Sequence, residues 1–536
     1  MSRIVFQPDL PVTPDEPDRA DVACFVGLVR LRRGADESVT PLPITKLDWL
    51  RLYGWLDGPH RRDCDLRYDI PVPIENYAAF YALYDDGRSA DAVGTDYLAL
   101  AVQAFFAQGG QRCYVVRMGD PIGPKYEADV LHVGANAADR AATIPRLLAP
   151  DASPEDQSSW HGVAHLWGLP DVSFLLLPDL PLLHAAQMHV AKGETEDLAL
   201  GPEQFIPCVP SPAPSEDLRT YPLPAPRFGP AEYQAWSATL RTVVQRLSTS
   251  DLREVQFVAA MPLPFEQPIS PAFDGPSAGA ATGVQDAIAL VLPELTADAG
   301  LSASSAFLQL AYPWLRTTRS HGLLEGLEPP DGTLAGLLAR NALLRGTFTS
   351  ATKIAPADIV DLFPALPMYE TLVPASKPVW QGNTVKPLVV RLSLFGFTPA
   401  GIRLLSDVTT YPGESYRPAP VNRLVSVISR MAQHLGESHL FESHGPRLWA
   451  QLERTLRAFL TRLWGLGALD GASPAEAFDV HCDRNTMTQN DIDNGRIVAV
   501  VGFQAAASIE LITVTLTVQA GSTSEAEIQA QLTGAA

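Results

Sequence analysis

The sequence predicts an α/β protein, with α+β elements, that is built from more than one domain. The chain has 536 residues, whereas a single domain usually holds roughly 100 to 200. An Ala- and Leu-rich segment over residues 97–106 predicts a packed helix, which Gly109 and Gly110 end before a short strand over residues 113–117. Apolar runs typical of buried strands lie at residues 22–31, 172–179 and 256–262. Strands alternating with helices indicate an α/β core.

Composition excludes several classes of function. The net charge of −20 and pI near 4.9 argue against nucleic acid as a partner, because phosphate binding requires a basic surface. The five cysteines are scattered singly, which favours reduced thiols made in the cytoplasm and predicts no metal site. We find no phosphate-binding loop and no dinucleotide fingerprint, so we expect no cofactor. The first residues lack the apolar run of a secretory signal, and we expect no direct membrane insertion.

The two ends of the chain are predicted to be extended arms. Over residues 1–20 a proline recurs every third position from Pro8 to Pro17, which forbids a helix. The apolar residues that open this N-terminal arm are Ile4, Val5 and Phe6. Near the other end, apolar residues alternate with threonine, which predicts a β-strand; they are Ile512, Val514, Leu516 and Val518. This strand either leaves its domain as part of an arm over residues 508–536 or is the last strand of its own domain.

A helix with two different faces is predicted from Pro446 to Trp464, with proline in its first turn and Gly465 at its end. At about 100° per residue its leucines and Phe459 share one side. The basic residues on the other side are Arg447, Arg454, Arg457 and Arg462. Glu453 is the single acid of this helix. The basic face is either a solvated surface or a contact for a partner.

Two sequence patterns resemble functional sites, one catalytic and one metal-binding, but the residues around them argue against both. Residues 275–279 match the Gly-x-Ser-x-Gly pattern of a hydrolase nucleophile, with Ser277 at its centre, but two prolines precede it where a strand is required. His161 and His165 stand four residues apart, as in some metal-binding helices, but Gly162 weakens a helix there and the expected glutamate is missing. We predict a flexible loop in the first case and a packing or surface role in the second.

Several segments carry recognisable motifs. In the order of the chain these segments are residues 97–117, residues 172–179, Tyr312-Pro-Trp314, Pro329-Pro-Asp-Gly332, Arg345-Gly346, and residues 462–483 followed by 490–496. Together they resemble contractile tail sheath proteins, which surround the inner tube of phage tails and related injection systems. The last segment is the most specific, because it resembles the C-terminal domain of the family. The matches span residues 20–519.

The resemblance implies a structural protein and not an enzyme. It implies an N-terminal arm over residues 1–20, an outer domain over 21–380 with a Pro-rich insertion at about 180–250, an inner domain over 381–507 and a C-terminal arm over 508–536. Copies would stack as six-fold rings, and the four arginines would grip the inner tube. Both arms would add strands to neighbouring copies, and the other partners would be baseplate and cap proteins.

The same resemblance implies where the protein is found. The particle would be assembled in the cytoplasm, and it would be released by lysis or carried on a virion. Two alternatives stay open: a serine hydrolase that uses Ser277, and a static shell or adhesin subunit that does not contract.

Overall fold

The structure is a computed structural model, and its compact units are residues 21–423, called the larger unit, and residues 424–536 together with 1–20, called the smaller unit. Each unit is described by itself. The residues that the structure describes are 19–33, 38–56, 65–85, 97–123, 132–134, 136–185, 224–249, 252–265, 284–292, 303–323, 325–366, 379–380, 383–384, 388–413, 415–439, 445–493, 496–506, 512–519 and 526–529.

The larger unit alternates strands and helices. Its strands are β1 (Val22–Gly27), β2 (Pro71–Ile74), β3 (Cys113–Arg117), β4 (Asp120–Gly123), β5 (His132–Gly134), β6 (Val172–Leu176), β7 (Arg227–Phe228), β8 (Gln256–Ala260), β9 (Leu263–Pro264), β10 (Leu308–Tyr312), β11 (Trp314–Thr317), β12 (Ile359–Phe363), β13 (Val379–Trp380), β14 (Asn383–Thr384), β15 (Ser393–Thr398) and β16 (Gly401–Leu404). Its helices are α1 (Ile44–Leu52), α2 (Tyr77–Leu83), α3 (Tyr97–Ala107), α4 (Ala137–Leu148), α5 (Leu180–His184), α6 (Pro230–Thr249), α7 (Val284–Val291) and α8 (Asp331–Arg345).

An eight-stranded sheet forms the centre of the larger unit, in the order β16-β15-β10-β8-β6-β1-β3-β2. The six strands from β15 to β3 are parallel, and β16 and β2 pair antiparallel at the two edges. All residues of β1, β3, β6, β8 and β10 are buried. Strands covered on both faces need continuous apolar sequence, and this explains the apolar runs in the chain.

Helices α3 and α8 approach each other closely at two glycines of α8. A Cβ atom added at Gly332 would lie 2.4 Å from the Ala101 carbonyl oxygen, and one added at Gly336 would lie 2.5 Å from the Phe105 carbonyl oxygen. Only glycine permits such a close approach of two backbones. The four-residue spacing of the two glycines places both on one face of α8.

The predicted strands and the predicted helix of the α/β core are confirmed. Strands occur within all three apolar runs, and α3 ends just before the Gly109-Gly110 pair. The larger unit, however, continues past the predicted boundary at residue 380, because β15 and β16 complete its sheet.

The predicted Pro-rich insertion at about 180–250 is partly wrong. Residues 186–223 lie outside the described part of the chain, but α6 occupies Pro230–Thr249 and follows β6 as the crossover helix to β8. Proline at the first position suits a helix start, and the Gly229 N–H donates to the Glu232 carboxylate at 2.9 Å. The apolar residues at helical spacing, all buried, are Tyr233, Trp236, Leu240, Val243 and Leu247.

The smaller unit combines helices with an antiparallel sheet. Its elements are α10 (Pro446–Gly465), α11 (Pro474–Ala477), β17 (Phe478–His481), α12 (Gln489–Asp493), β18 (Arg496–Phe503), β19 (Ile512–Gln519) and β20 (Ala526–Gln529). They follow α9 (Ala419–Ser438), which begins in the larger unit and continues into the smaller one. The strand order is β17-β18-β19-β20.

Candidate protein-interaction surface

Helix α10 has one buried apolar face and one exposed basic face, as predicted. It begins at Pro446 and ends at Gly465. The buried side chains are Leu448, Trp449, Leu452, Leu456, Phe459, Leu460 and Leu463. Trp449 is absent from the predicted set, although its helical angle falls between those of Leu456 and Leu460, and this signal was available in the sequence.

The four arginines of α10 are exposed, but their surroundings differ. Arg457 bonds beyond its own helix, because its Nη2 donates to the Val480 carbonyl at 3.0 Å as well as to Glu453 Oε1 at 3.0 Å. Arg454 Nε donates to the Ala450 carbonyl of its own helix at 3.0 Å. The Arg462 guanidinium lies 5.9 Å from the Phe459 ring centroid.

Arg447 and Arg454 contact no carboxylate among the described residues. Glu453 remains the single acid of α10, and its charge is shared with Arg457. The exposed face of α10 is therefore a basic surface in an acidic protein, and we call it the basic face.

The predicted strand near the C-terminus is confirmed as β19. It pairs antiparallel with β18 over eight residue pairs, from Phe503 opposite Ile512 to Arg496 opposite Gln519. On its other side it pairs with β20, which lies in the predicted C-terminal arm over residues 508–536. Within one chain, β19 is thus an internal strand of its own sheet.

The predicted N-terminal arm residues Ile4, Val5 and Phe6 lie outside the described residues, as does Ser277. The described chain begins at Arg19, whose carbonyl accepts a hydrogen bond of 2.5 Å from Arg430 Nη1 of α9. This bond holds the end of the predicted arm within the smaller unit.

His161 and His165 surround a buried carboxylate in the larger unit. His165 Nε2 lies 2.9 Å from Asp69 Oδ1, His161 Nδ1 contacts Asp69 Oδ2, and the Gly162 N–H donates to Asp69 Oδ1 at 2.9 Å. Burial alone would raise the pKa of Asp69, but its interactions with His165, His161 and Gly162 outweigh burial and lower it. The hydrogen bond to Asp69 raises the pKa of His161. This arrangement fits the predicted packing role.

His161 also lines an open cavity of about 470 Å³ together with Tyr68 and Arg146. In the described part of the chain, no group of three His, Cys, Asp or Glu side chains is placed to hold a metal ion. Burial raises the pKa of the Cys24 and Cys113 thiols, so neither provides a thiolate nucleophile.

Asp179 fills the place where parallel α/β sheets usually bind ligands. Such sites lie at the carboxyl ends of the strands where the strand order reverses, which here is between β1 and β6. Asp179 Oδ2 accepts the Leu28 N–H at 2.7 Å, the carboxylate also accepts the Leu98 N–H of α3, and a Cβ atom at Gly27 would be 2.3 Å from it. The protein's own carboxylate occupies this crevice.

Two buried acids at this edge have pKa values raised toward neutrality. Burial raises the pKa of Asp179 to about 7; the Leu28 and Leu98 N–H groups oppose the shift, and Asp331 adds to it. Burial also raises the pKa of Asp331 to about 7, with Glu328 contributing. Asp331 opens α8, and its carboxylate accepts the Gly332 N–H at 2.9 Å.

We found none of the described helices both long enough and apolar enough to span a bilayer.

Comparison with known proteins gives matches among solved structures, while no protein-family model and no curated protein matches the chain. A chain of the anti-feeding prophage (AFP) baseplate in its contracted state is 17% identical, with 95% of each chain covered and a TM-score of 0.54. A chain of the AFP helical sheath in its contracted state is 16% identical, with 95% of this chain and 96% of that chain covered and a TM-score of 0.47.

The contracted sheath complex of the PVC extracellular contractile injection system is 14% identical, with 94% of this chain and 95% of that chain covered and a TM-score of 0.47. Two of these three matches, the AFP helical sheath and the PVC sheath complex, are sheath structures. The AFP baseplate chain, with a TM-score above 0.5, establishes the shared fold. The sequence resemblance is thereby confirmed at the level of the fold.

Proposed function

We propose that this protein is the sheath subunit of a contractile injection system or phage tail. The observation that carries the proposal is a fold shared over 95% of the chain with a chain of the contracted AFP baseplate. Copies polymerise as stacked six-fold rings around an inner tube, between baseplate and cap proteins. On triggering, the sheath contracts and drives the tube through a target envelope.

The basic face of α10 is the proposed contact with the inner tube. Its residues are Arg447, Arg454, Arg457 and Arg462. Because these four side chains are positively charged, the contact favours an acidic tube surface, although the whole chain carries a net charge of −20. Exposed ion pairs contribute roughly 0.2–1 kcal/mol each and weaken with salt. The contact energy therefore sums over many copies, while the contact of each copy can still be broken separately, as a contracting sheath requires.

Strand β19 is the proposed link between copies. If β19 is donated to a neighbouring copy, it leaves the β18 of its own chain and pairs in the same way with the β18 of the neighbour. The alternating side chains fix the register. Residues 504–511 join β18 to β19, and hairpin connections usually need only about 2–5 residues. Ile4, Val5 and Phe6 are proposed as the matching N-terminal link.

Electron microscopy of the protein expressed with its inner tube protein tests the proposal. We expect striated cylinders that contain the tube, in a long and a short form of different diameter. Reversing two charges of the basic face, with Arg447→Glu and Arg454→Glu together, should give empty cylinders, because the tube contact is lost while β18 and β19 are untouched.

The matched control is Arg51→Glu, which reverses an exposed charge on α1 of the larger unit. We expect this variant to assemble with its tube. If the wild-type protein forms no cylinders, the sheath assignment is wrong. If the reversed variant still encloses its tube, the sheath assignment stands and the basic face is not the contact. A single lattice of fixed length would favour a static shell.

A further inference from the structure

The outer edge of β17 is the side of the small sheet that lies opposite β18. Among the described strands β17 pairs with β18 alone. The Gln504 N–H donates to the Ala477 carbonyl at 2.9 Å, and Asp479 and Val480 stand opposite Gly502 and Val501. Because hydrogen-bonding direction alternates along an antiparallel strand, Asp479 faces β18 while Phe478 and Val480 direct their backbone groups outward. An outward row of this kind is a template for another strand.

Arg457 lies across this outer edge. Its Nη2 donates to the Val480 carbonyl at 3.0 Å, from a position 23 residues earlier in the chain, and the same atom contacts Glu453 Oε1 at 3.0 Å. Glu453 and Arg457 are four residues apart on α10, the spacing at which side chains on a helix meet. The Arg457 side chain is 44% exposed. Its guanidinium therefore lies at the surface and still donates a hydrogen bond to the strand.

The beginning of the same edge is also closed. The Phe478 N–H donates back to the Pro474 carbonyl of α11. Phe478 and Val480 each direct one N–H and one carbonyl group outward. Two of these four groups, the Phe478 N–H and the Val480 carbonyl, therefore already have partners within the smaller unit. A strand that added to β17 would have to displace both the guanidinium and the α11 carbonyl.

We propose that Arg457 closes the outer edge of β17 against pairing with an extended strand of a second copy. A second copy is the relevant competitor because every copy carries β19, the apolar and threonine strand that already pairs along the full length of β18. A charged side chain held on an edge strand is a general means of preventing such pairing. Arg457 then has a role in the sheet that its neighbours on the basic face lack.

The test uses the full-length protein alone and a fluorescein-labelled peptide with the sequence of residues 512–519. Fluorescence anisotropy measures peptide affinity for the wild type, for Arg457→Ala and for Arg454→Ala. Arg454 is the matched control, because it is exposed on the same face but bonds only to its own helix. The variants share the same β18, so a difference between them reports the β17 edge. We expect Arg457→Ala to bind about tenfold more tightly than the wild type and Arg454→Ala.

A second variant keeps the test decisive if Arg457→Ala does not fold, which circular dichroism would show. Glu453→Gln removes the carboxylate that holds Arg457, and we expect a smaller increase in affinity in the same direction. A peptide N-methylated at alternate residues should lose the added affinity. Equal affinity for the wild type, Arg454→Ala and the folded variants would overturn the proposal. The measurement involves neither tube nor cylinders, so its failure leaves the sheath assignment untouched.

Discussion

The side chain of Asp179 occupies the crevice of the larger unit where a ligand could otherwise bind. A parallel sheet with a reversal of strand order offers a crevice for a ligand, and here the Asp179 carboxylate accepts the backbone N–H groups of Leu28 and Leu98 at that place. The Leu98 N–H near the start of α3 therefore donates to a carboxyl group of the protein itself.

Asp179 also predicts how stability changes with pH. Its pKa is raised to about 7 in the folded protein by burial, while an unfolded aspartate titrates near roughly 4. Between these values the unfolded chain releases the proton and the folded chain keeps it, so stability falls as pH rises from about 4 to about 7 and is level above that. The free energy of unfolding of the wild type should therefore fall between pH 5 and pH 8. Asp179→Asn should reduce this fall by roughly 2 kcal/mol, since one pKa unit corresponds to about 1.4 kcal/mol.

Urea unfolding of the wild type and Asp179→Asn at pH 5 and pH 8 measures this difference. Glu155→Gln, which changes an exposed carboxylate of the same unit, is the control and should leave the pH dependence as it is. An Asp179→Asn variant with the full wild-type loss between the two pH values would show that this carboxylate is ionised in the folded protein.

Arg423 and Asp407 form a buried ion pair in the larger unit. Arg423 donates to both oxygens of Asp407, at 3.0 and 2.7 Å, and Gln309 and Ala351 donate to the same carboxylate. Burial would raise the pKa of Asp407, but these partners outweigh burial and lower it. This network connects Arg423, near the start of α9, to Asp407, Gln309 and Ala351 of the same unit.

At the scale of elements, the contact between α3 and α8 depends on glycines that the sequence interpretation overlooked. Alanine normally stabilises a helix relative to glycine by about 1 kcal/mol. At Gly336 we expect the opposite sign, with Gly336→Ala destabilising the larger unit by roughly 1–3 kcal/mol, because the new Cβ would lie 2.5 Å from the Phe105 carbonyl oxygen.

Thermal and urea unfolding check the sign of this effect. Leu344→Ala is the control on the same helix, because Leu344 is 67% exposed, and it should change the free energy of unfolding by less than about 0.5 kcal/mol. A more stable Gly336→Ala variant would mean that the two helices are further apart than the structure places them.

At the scale of the whole molecule, the main prediction concerns the exchange of β19 between copies. Val500 and Thr515 stand opposite each other in β18 and β19. Val500 also pairs with His481, on the side where β18 bonds to β17, so Val500 and Thr515 form a non-hydrogen-bonded pair, the type with the closer Cα atoms. Val500→Cys with Thr515→Cys should therefore form a disulfide under oxidising conditions.

Non-reducing gels of oxidised assemblies distinguish the two locations of β19. In assembled cylinders we expect a ladder of covalent multimers, because each β19 would be bonded to the β18 of a neighbour. In unassembled protein we expect monomers with an internal bond. Val500→Cys alone is the control and should give no ladder. Monomers from intact cylinders would show that β19 stays in its own chain and that the copies are joined in another way.

Local features of this protein were accessible from the sequence because their causes are local. The helical spacing of the leucines and arginines of α10, and the alternation that makes β19, are set by the period of each element. The buried strands of the larger unit, of which β1 is an example, are recognisable because strands covered on both faces tolerate few polar residues. The helix α6 could have been predicted by the same reasoning, but the neighbouring prolines drew the interpretation toward a loop.

The α/β class, the two-faced α10 and the strand near the C-terminus could be predicted from the amino-acid sequence, because period, capping and turn residues act over a few neighbouring positions. The folded protein was needed to show the order of the strands, the position of Asp179 between β1 and β6, and the contact of Arg457 with the Val480 carbonyl. Each of these joins residues far apart in the chain, and such contacts depend on how whole elements pack. The same fact explains why Arg457, one of four similar arginines in the sequence, is distinct in the folded protein.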